Sequence, residues 1–480
     1  MTYLSVILVY LFALIAIGIV KSRKIHTQSD FALAGRTLTP WILVGTMLAS
    51  WIGTGSILGN AGKTYETGMA ALMLPIGSIL GIILLTRIAG KVRSYEKYTV
   101  PEIIGDRYGP VARNLSVFAL VMAYMVIVSY QYNAGGAVLY TVLADNTGTS
   151  IISIELATII AAVFIIAYTM LAGLLSVAYT DAANSIIMTL ALVISLPILW
   201  IKAGSWSGME TAFAAMNKSQ HMQFGGVYST MDIINFCLPP FLLVIGDANM
   251  YQRFSASKDV QSARYSTTIL VFAVLFIELL IIASSWVSSS MILEAEVGKH
   301  VLIYAAHQFL PTFLGAIMLT TIVGIIISTA DSFLLVPANT LIRDIYLNYI
   351  NPQASEKNIV RLSRLLVLLL GIIAYIVSIG FSRSAGFFER ALYAYTIYGA
   401  AITPALVAAL FWRGATKEGA VASIICGTLV TLFWKELPGL WFWLPTKWYI
   451  SLDEVLPAIS GSLLALIGVS YLTQKADPGK

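Results

Sequence analysis

Apolar residues in this chain neither alternate with polar ones nor recur on a single helical face. They run on for about 20 positions at a time, the length an α-helix needs to cross a bilayer. Thirteen such stretches can be marked, near 3–20, 40–60, 67–88, 114–142, 151–171, 174–201, 231–249, 265–288, 312–341, 362–381, 386–412, 418–434 and 455–473. The pattern predicts an all-α polytopic membrane protein of about 13 transmembrane helices, with mostly short connections and no water-soluble domain left over. Only Met1 and Thr2 precede the first stretch, and its basic residues follow it at Lys21, Arg23 and Lys24, so it reads as a helix rather than a signal peptide.

Two stretches carry signs of interruption. The second reads Leu48-Ala49-Ser50-Trp51-Ile52-Gly53-Thr54-Gly55-Ser56, where glycines among hydroxyl residues favour an unwound turn. The seventh carries Pro239-Pro240, which removes two backbone donors. Unwound backbone at membrane depth is tolerated only where protein or a water-filled cavity surrounds it. With the first helix set aside, the two breaks fall in the opening helices of two consecutive five-helix units. Because five is odd, the second unit starts from the opposite face, the inverted-repeat arrangement of secondary transporters. The expected layout is an added helix and loop over 1–37, a ten-helix core over 38–412 with repeats 38–202 and 231–412, and two further helices over 413–480.

One apolar run, Ile325 to Leu335, holds Ser328, Thr329, Asp331 and Ser332 at its centre. Ser328 and Thr329 lie three and four positions beyond Ile325, so two hydroxyls and the Ile325 carbonyl gather near one patch of helix. Carbonyls freed at an unwound Ala49–Gly53 turn, those of Ala49 and Ile52, would complete a set of oxygens suited to sodium; calcium and magnesium usually need carboxylates. The competing reading is that both hydroxyls bond back to carbonyls of their own helix. Intramembrane acids are costly and mark function. Asp181 is a candidate for a second cation or an ion exit path, Asp331 for a structural acid, and Asp247 for lining the solute cavity or pairing with Arg253. Glu155 and Asp232 sit near outer helix ends. Candidate solute contacts near mid-membrane are Trp51, Thr54, Ser56, Tyr130, Gln131, Tyr132, Phe236, Tyr395 and Tyr398.

Composition agrees: 58% of residues are hydrophobic and 11% charged, against roughly 25% charged in soluble domains. The net charge of +5 is an orientation signal. With the N-terminus outside and the C-terminus cytoplasmic, 21 of the 29 Lys and Arg fall in cytoplasmic connections, among them Arg36, Arg87, Arg253, Arg264, Arg343, Lys475 and Lys480. The eight outside are Lys63, Lys202, Lys218, Lys299, Arg383, Arg390, Lys435 and Lys447. No basic face with stacking aromatics points to nucleic acid. No Lys or Arg sits mid-span by this reading, so an anionic solute would rest on helix N-termini. Cys237 and Cys426 read as small hydrophobes, and His26, His221, His300 and His307 fall in connections with no metal-ligand spacing.

The chain resembles the sodium:solute symporters from about Ser29 to Trp434. The resemblance is carried by Ser29-Asp30-Phe31-Ala32-Leu33-Ala34-Gly35-Arg36, Ala49-Ser50-Trp51-Ile52-Gly53, Ala172-Gly173-Leu174-Leu175-Ser176 with Tyr179-Thr180-Asp181, Tyr251-Gln252-Arg253, Ser328-Thr329-Ala330-Asp331-Ser332, and Phe411-Trp412-Arg413 leading to Gly419-Ala420. It implies a LeuT-like inverted-repeat fold whose sodium is held by carbonyls of Ala49, Ile52 and Ile325 and hydroxyls of Ser328 and Thr329, with Asp181 on the ion pathway or at a second sodium. Ala172-Gly173 stands where the family has Gly-Gly. Ile325 stands where members that bind a second sodium have Ser, which leans toward one sodium per solute. Ser176-Val177-Ala178-Tyr179-Thr180-Asp181 and Trp51 are similar to the choline-transporter branch, whose aromatic cage holds a quaternary ammonium, yet the cage position near Asp247 is not aromatic here.

The expected function is sodium-coupled import of a small organic solute by alternating access, in a plasma (inner) membrane, with sodium as coupling ion and no further cofactor, metal, nucleic acid or obligate protein partner. Sugar, amino acid, carboxylate and amine all stay open as solutes. A membrane-embedded enzyme lacks its nucleophile or metal cluster. A non-transporting solute sensor would ordinarily carry a signalling domain. A proton-coupled transporter would depend on Asp181 or Asp247 titrating.

Overall fold

A computed structural model of the chain describes residues 2–22, 25–144, 150–293, 298, 300–381, 386–434 and 452–474. Arg23, Lys24, Lys299, Arg383, Lys435, Lys447, Lys475 and Lys480, which enter the charge asymmetry, lie outside the described residues. Among the described residues there are no strands, only two isolated bridges, Leu38 with Ser257 and Ala144 with Ser150. In chain order the helices are α1 (Thr2–Ser22), α2 (Gln28–Leu33), α3 (Pro40–Trp51), α4 (Gly55–Met73), α5 (Ile76–Tyr95), α6 (Val100–Tyr108), α7 (Pro110–Val142) and α8 (Ile154–Lys202). They continue as α9 (Ser205–Ala215), α10 (Thr230–Gly246), α11 (Ala248–Ala256), α12 (Val260–Ser289), α13 (Val301–Gln308), α14 (Thr312–Ile350), α15 (Glu356–Phe381), α16 (Phe387–Ala401), α17 (Thr403–Phe411), α18 (Lys417–Phe433) and α19 (Val455–Thr473).

Helix lies on all thirteen predicted stretches. By length and apolar composition, eight helices among the described residues can cross a membrane, or nine if the bent pair α3 and α4 is one span. In that count α8 enters once, and α1, α5 and α18 are helical without entering.

α8 runs for 49 residues but turns a corner at Gly173, whose φ of 59° and ψ of 168° are open to glycine and strained for other residues. A Cβ at Gly173 would come within 2.7 Å of Ile25 Cδ1 and 3.1 Å of Phe31 Cδ2. The corner thus separates two predicted spans and seats the segment around α2 against α8. α2 itself opens with a capping box between Thr27 and Asp30.

The first break falls where the sequence places it. α3 ends at Trp51, Ile52 leaves helical geometry with φ −75° and ψ 87°, and the chain resumes at Gly55 bent by 52°. The second does not. α10 runs through Pro239 and Pro240 without interruption and ends at Gly246, with the turn at Asp247 (φ −59°, ψ 113°). Proline's fixed φ fits a helix, so the pair removes two hydrogen bonds yet does not redirect the chain. The helix that follows starts at Asp247, whose side chain accepts a hydrogen bond from the Asn249 amide. Both breaks face α14, which is buried almost continuously from Gly315 to Thr340 and packs against α3, α7, α8 and α11.

Candidate functional site

Ser328 and Thr329 point away from their own helix. Thr329 Oγ1 donates to the Ala49 carbonyl at 3.4 Å, and Ser328 Oγ donates to Asp181 Oδ1 at 2.5 Å. On the same helix Thr320 makes the back-bond to Ala316 O expected of a hydroxyl with no other work, whereas the hydroxyls at 328 and 329, like that of Ser332, reach other elements. Gly53 closes the approach: a Cβ there would lie 2.9 Å from both Cγ2 and Oγ1 of Thr329. Ala49, Gly53 and Thr329 therefore meet at the first break, with Ile52 and Ile325 buried on the same two elements.

Asp181 is held from three sides. Besides Ser328, its carboxylate accepts from Thr46 Oγ1 at 2.6 Å and from Arg253 Nη2 at 3.5 Å. Arg253 also donates through Nε to Thr46 Oγ1 at 3.0 Å, through Nη2 to Ser332 Oγ at 2.6 Å and through Nη1 to the Asn249 carbonyl at 3.3 Å. Arg253 and Asp181 are both fully buried. The sequence reading put Arg253 in a cytoplasmic connection and offered it to Asp247; instead α11 carries it inward to Asp181. Asp247 accepts from Tyr124 OH at 2.5 Å and from the Asn249 amide at 3.1 Å. Asp331 accepts from Thr169 Oγ1 at 2.5 Å, as befits a structural acid. Of the outer acids, Glu155 is exposed in the first turn of α8 and Asp232 forms a capping box with Ser229.

A cavity of about 30 Å³ lies beside the first break. Trp51, Ser56, Phe236 and Tyr395 of the sequence candidates line it, together with Glu278 and Phe388. Trp51 and Tyr395 stack with ring centroids 6.3 Å apart. Thr54, Tyr130, Gln131 and Asp247 are not on its wall. Thr54 instead donates to Gln131 Oε1, Tyr130 hydrogen-bonds Tyr395, and Asp247 serves the second break with Tyr398, whose hydroxyl donates to the Gly246 carbonyl at 2.8 Å. Tyr132 is buried with a hydroxyl that has no partner among the described residues.

Glu278 was missed. It lies in the middle of α12, 2% exposed, and accepts from Ser56 Oγ at 2.5 Å and Asn60 Nδ2 at 3.0 Å. The signal was present: one acid in the run Leu275-Phe276-Ile277-Glu278-Leu279-Leu280, an intramembrane charge of the kind that marks function. His221, placed in a connection by the sequence, is buried there against the Phe213 ring at 5.1 Å, and its burial lowers its pKa to about 4, with Lys218 adding to the effect.

A profile of the sodium:solute symporter family matches residues 31–427. The chain belongs to the sodium:solute symporter family. Relatives of this symporter include a sodium/proline symporter of Haemophilus influenzae, 26% identical over 98% of this chain and 94% of that one. A high-affinity proline transporter, PutP, of Bacillus subtilis is 24% identical over 96% of each. Among solved structures, a substrate-bound, outward-open sodium-coupled sialic acid symporter superposes with a TM-score of 0.81 at 15% identity, covering 99% of this symporter and 98% of that chain. A nucleobase-cation-symport-1 family transporter gives 0.57 at 12% identity. At these identities the structural likenesses show the LeuT-like fold, and the family shows sodium-coupled symport of a small solute.

Proposed function

We propose that this symporter imports its solute with one sodium ion held by the carbonyls of Ala49, Ile52 and Ile325 and the hydroxyls of Ser328 and Thr329. The observation that carries the reading is the aim of Thr329, across the helix interface onto the carbonyl of an unwound turn, at a 3.4 Å separation that leaves room for a cation to be shared. Asp181 lends negative charge through Ser328 and lies on the path by which sodium leaves. Its pairing with Arg253 supplies the positive charge that a second sodium would otherwise bring, in keeping with a single coupling ion.

The solute binds beside the first break, between Trp51, Ser56 and Tyr395, with Phe236 toward one side. The cavity there holds about one or two waters, so admission requires its aromatic walls to part, as alternating access demands. Thr54, Tyr130 and Gln131 support that wall from behind. Asp247 holds the second break rather than the solute. The layout is thirteen spans, N-terminus outside and C-terminus cytoplasmic, in a plasma (inner) membrane, with an added helix over 1–37, repeats over 38–202 and 231–412, and two helices over 413–480. Sodium tying α3 to α14 biases the conformation that completes the solute site, and solute and sodium must then raise each other's affinity by the same factor, ordinarily about 1–3 kcal/mol. The test is uptake into proteoliposomes under an inward sodium gradient, a potassium control and an imposed pH gradient. Uptake driven by sodium alone supports the reading; uptake driven by pH with no sodium requirement contradicts it and turns attention to Asp181 and Asp247 as proton carriers.

A further inference from the structure

α1 is apolar along most of its length, and between Ser5 and Lys21 its only polar side chain is that of Tyr10. Ile7, Tyr10 and Leu14 recur at the spacing of one helical face, and Ile7 and Leu14 are buried. A phenol at that depth must find its partner inside the protein, since hydrocarbon offers none. Tyr10 Oη donates to Asn184 Oδ1 at 2.8 Å. Asn184, buried on α8, donates in turn through Nδ2 to the Gly324 carbonyl of α14 at 3.4 Å. The three groups meet closely: a Cβ at Gly324 would lie 2.4 Å from the Tyr10 oxygen and 3.4 Å from Asn184 Cγ.

Both ends of this bridge border the proposed sodium site. Asn184 follows Asp181 by three residues, about one turn along the same face of α8, and the Asp181 carboxylate takes the Ser328 hydroxyl. Gly324 directly precedes Ile325, and its carbonyl is the one a helix presents to the amide four residues on, that of Ser328. The next residue of α8, Ser185, donates to the Gly45 carbonyl of α3 at 2.8 Å. One stretch of α8, from Asp181 to Ser185, thus holds α3, α14 and α1 at once. Packing fixes α1 less firmly, because an apolar space of about 350 Å³ separates part of it from α7, α8 and α14, bounded by Leu8, Ile15, Phe164 and Ile326 among others. The outer end of α1 is tied elsewhere, with Tyr3 OH donating to the His307 carbonyl of α13 at 3.2 Å.

We propose that Tyr10 is a positioning residue for the sodium site, holding the Asn184 amide against the Gly324 carbonyl so that the turn of α14 carrying Ile325 and Ser328 keeps its place against α3. An asparagine amide has a donor end and an acceptor end, and a phenol donating to Oδ1 fixes Nδ2 toward the carbonyl. Without that phenol the amide is free to turn its oxygen to the carbonyl, which repels it. The inference rests on the sodium site given above and adds α1 to it, a helix outside both proposed repeats that supplies no ligand of its own.

The test is a sodium titration of the melting temperature of the purified protein, with potassium keeping ionic strength constant, for the wild type, Tyr10→Phe, Tyr3→Phe, Asn184→Ala and the double variant Tyr10→Phe with Asn184→Ala. Outer partners of metal ligands typically set about tenfold or more in affinity, and Tyr10 acts one group further out, so Tyr10→Phe should raise the sodium half-saturation about threefold or more while melting near the wild type in potassium. Tyr3→Phe, which removes a hydroxyl from the same helix away from the site, should leave the half-saturation unchanged. Asn184→Ala should raise it at least as much as Tyr10→Phe does, and the double variant should go no further than Asn184→Ala alone. A wild-type half-saturation in Tyr10→Phe, an equal rise in Tyr3→Phe, or a further rise on adding Tyr10→Phe to Asn184→Ala would overturn the proposal and leave the sodium site standing. If Asn184→Ala does not fold, the two tyrosine variants decide the matter alone. A wild type with no sodium-specific shift would instead remove the sodium site and this inference with it.

Discussion

The two helix breaks look alike in a diagram and differ in what satisfies them. At the second, side chains close the last two carbonyls of α10: Tyr251 OH donates to Ile245 O at 3.0 Å and Tyr398 OH to Gly246 O at 2.8 Å, and the Asp247 side chain caps the helix that follows. At the first, Ile52 turns its backbone out of register, and the contact reaching the Ala49 carbonyl from α14 is the long one from Thr329. A break finished by side chains is a joint; a break left with oxygen to spare is the one proposed to take the ion. The contrast explains why both helices are interrupted while only one is proposed to hold sodium.

Substitutions around the second break should cost stability, and Asp247→Ala should do so while leaving ion response alone. Removing the Arg253 side chain strands Asp181 as an uncompensated buried charge, so Arg253→Ala should lower unfolding free energy in detergent by about 3–5 kcal/mol, the largest effect expected here. If its denaturation midpoint stayed within error of the wild type, the buried pair would not hold α11 to α8. Asp247→Ala removes a helix cap and the acceptor of the Tyr124 hydroxyl, for a loss of about 2 kcal/mol. Its half-saturation for sodium should match the wild type, and a large rise would erase the distinction between the two breaks. Thr329→Ala should behave the opposite way, costing under about 1 kcal/mol in potassium but raising sodium half-saturation about tenfold or more.

A further effect lies outside the membrane-spanning segments. The His221 pKa falls on folding from 6.5 to about 4, so between these values the unfolded chain binds more protons than the folded one. Stability from this residue is complete above pH 6.5 and is lost as pH drops toward 4. Hydrogen exchange of the Ser219–Met222 turn should quicken over that window, and His221→Asn should flatten the dependence.

Much of this was legible in the chain. Long apolar runs give helix positions because a bilayer leaves backbone no other way to satisfy itself. Leu48 to Ser56 announced the first break through glycine and hydroxyl residues, and the spacing of Ile325, Ser328 and Thr329 put two hydroxyls on one patch, though only three-dimensional packing could show them reaching Asp181 and Ala49. Pro239-Pro240 misled because a missing donor is local, whereas the interruption falls eight residues after Pro239, at Asp247, where the backbone leaves helical geometry and a new cap begins. Arg253 looked like a membrane-edge charge because its partners, Thr46, Asp181 and Ser332, come from three other helices. Glu278 needed no structure to be noticed, only attention to a single acid in a run of leucine and isoleucine; its cavity did.

The central claim is that sodium binds between the first break and α14. The most direct measurement is the melting temperature of the purified protein in sodium and in potassium at equal ionic strength, for the wild type and Thr329→Ala. The account predicts a sodium-specific rise in the wild type that is lost in the variant while the two melt alike in potassium. Equal melting of the wild type in both salts, or an undiminished sodium rise in Thr329→Ala, would contradict it.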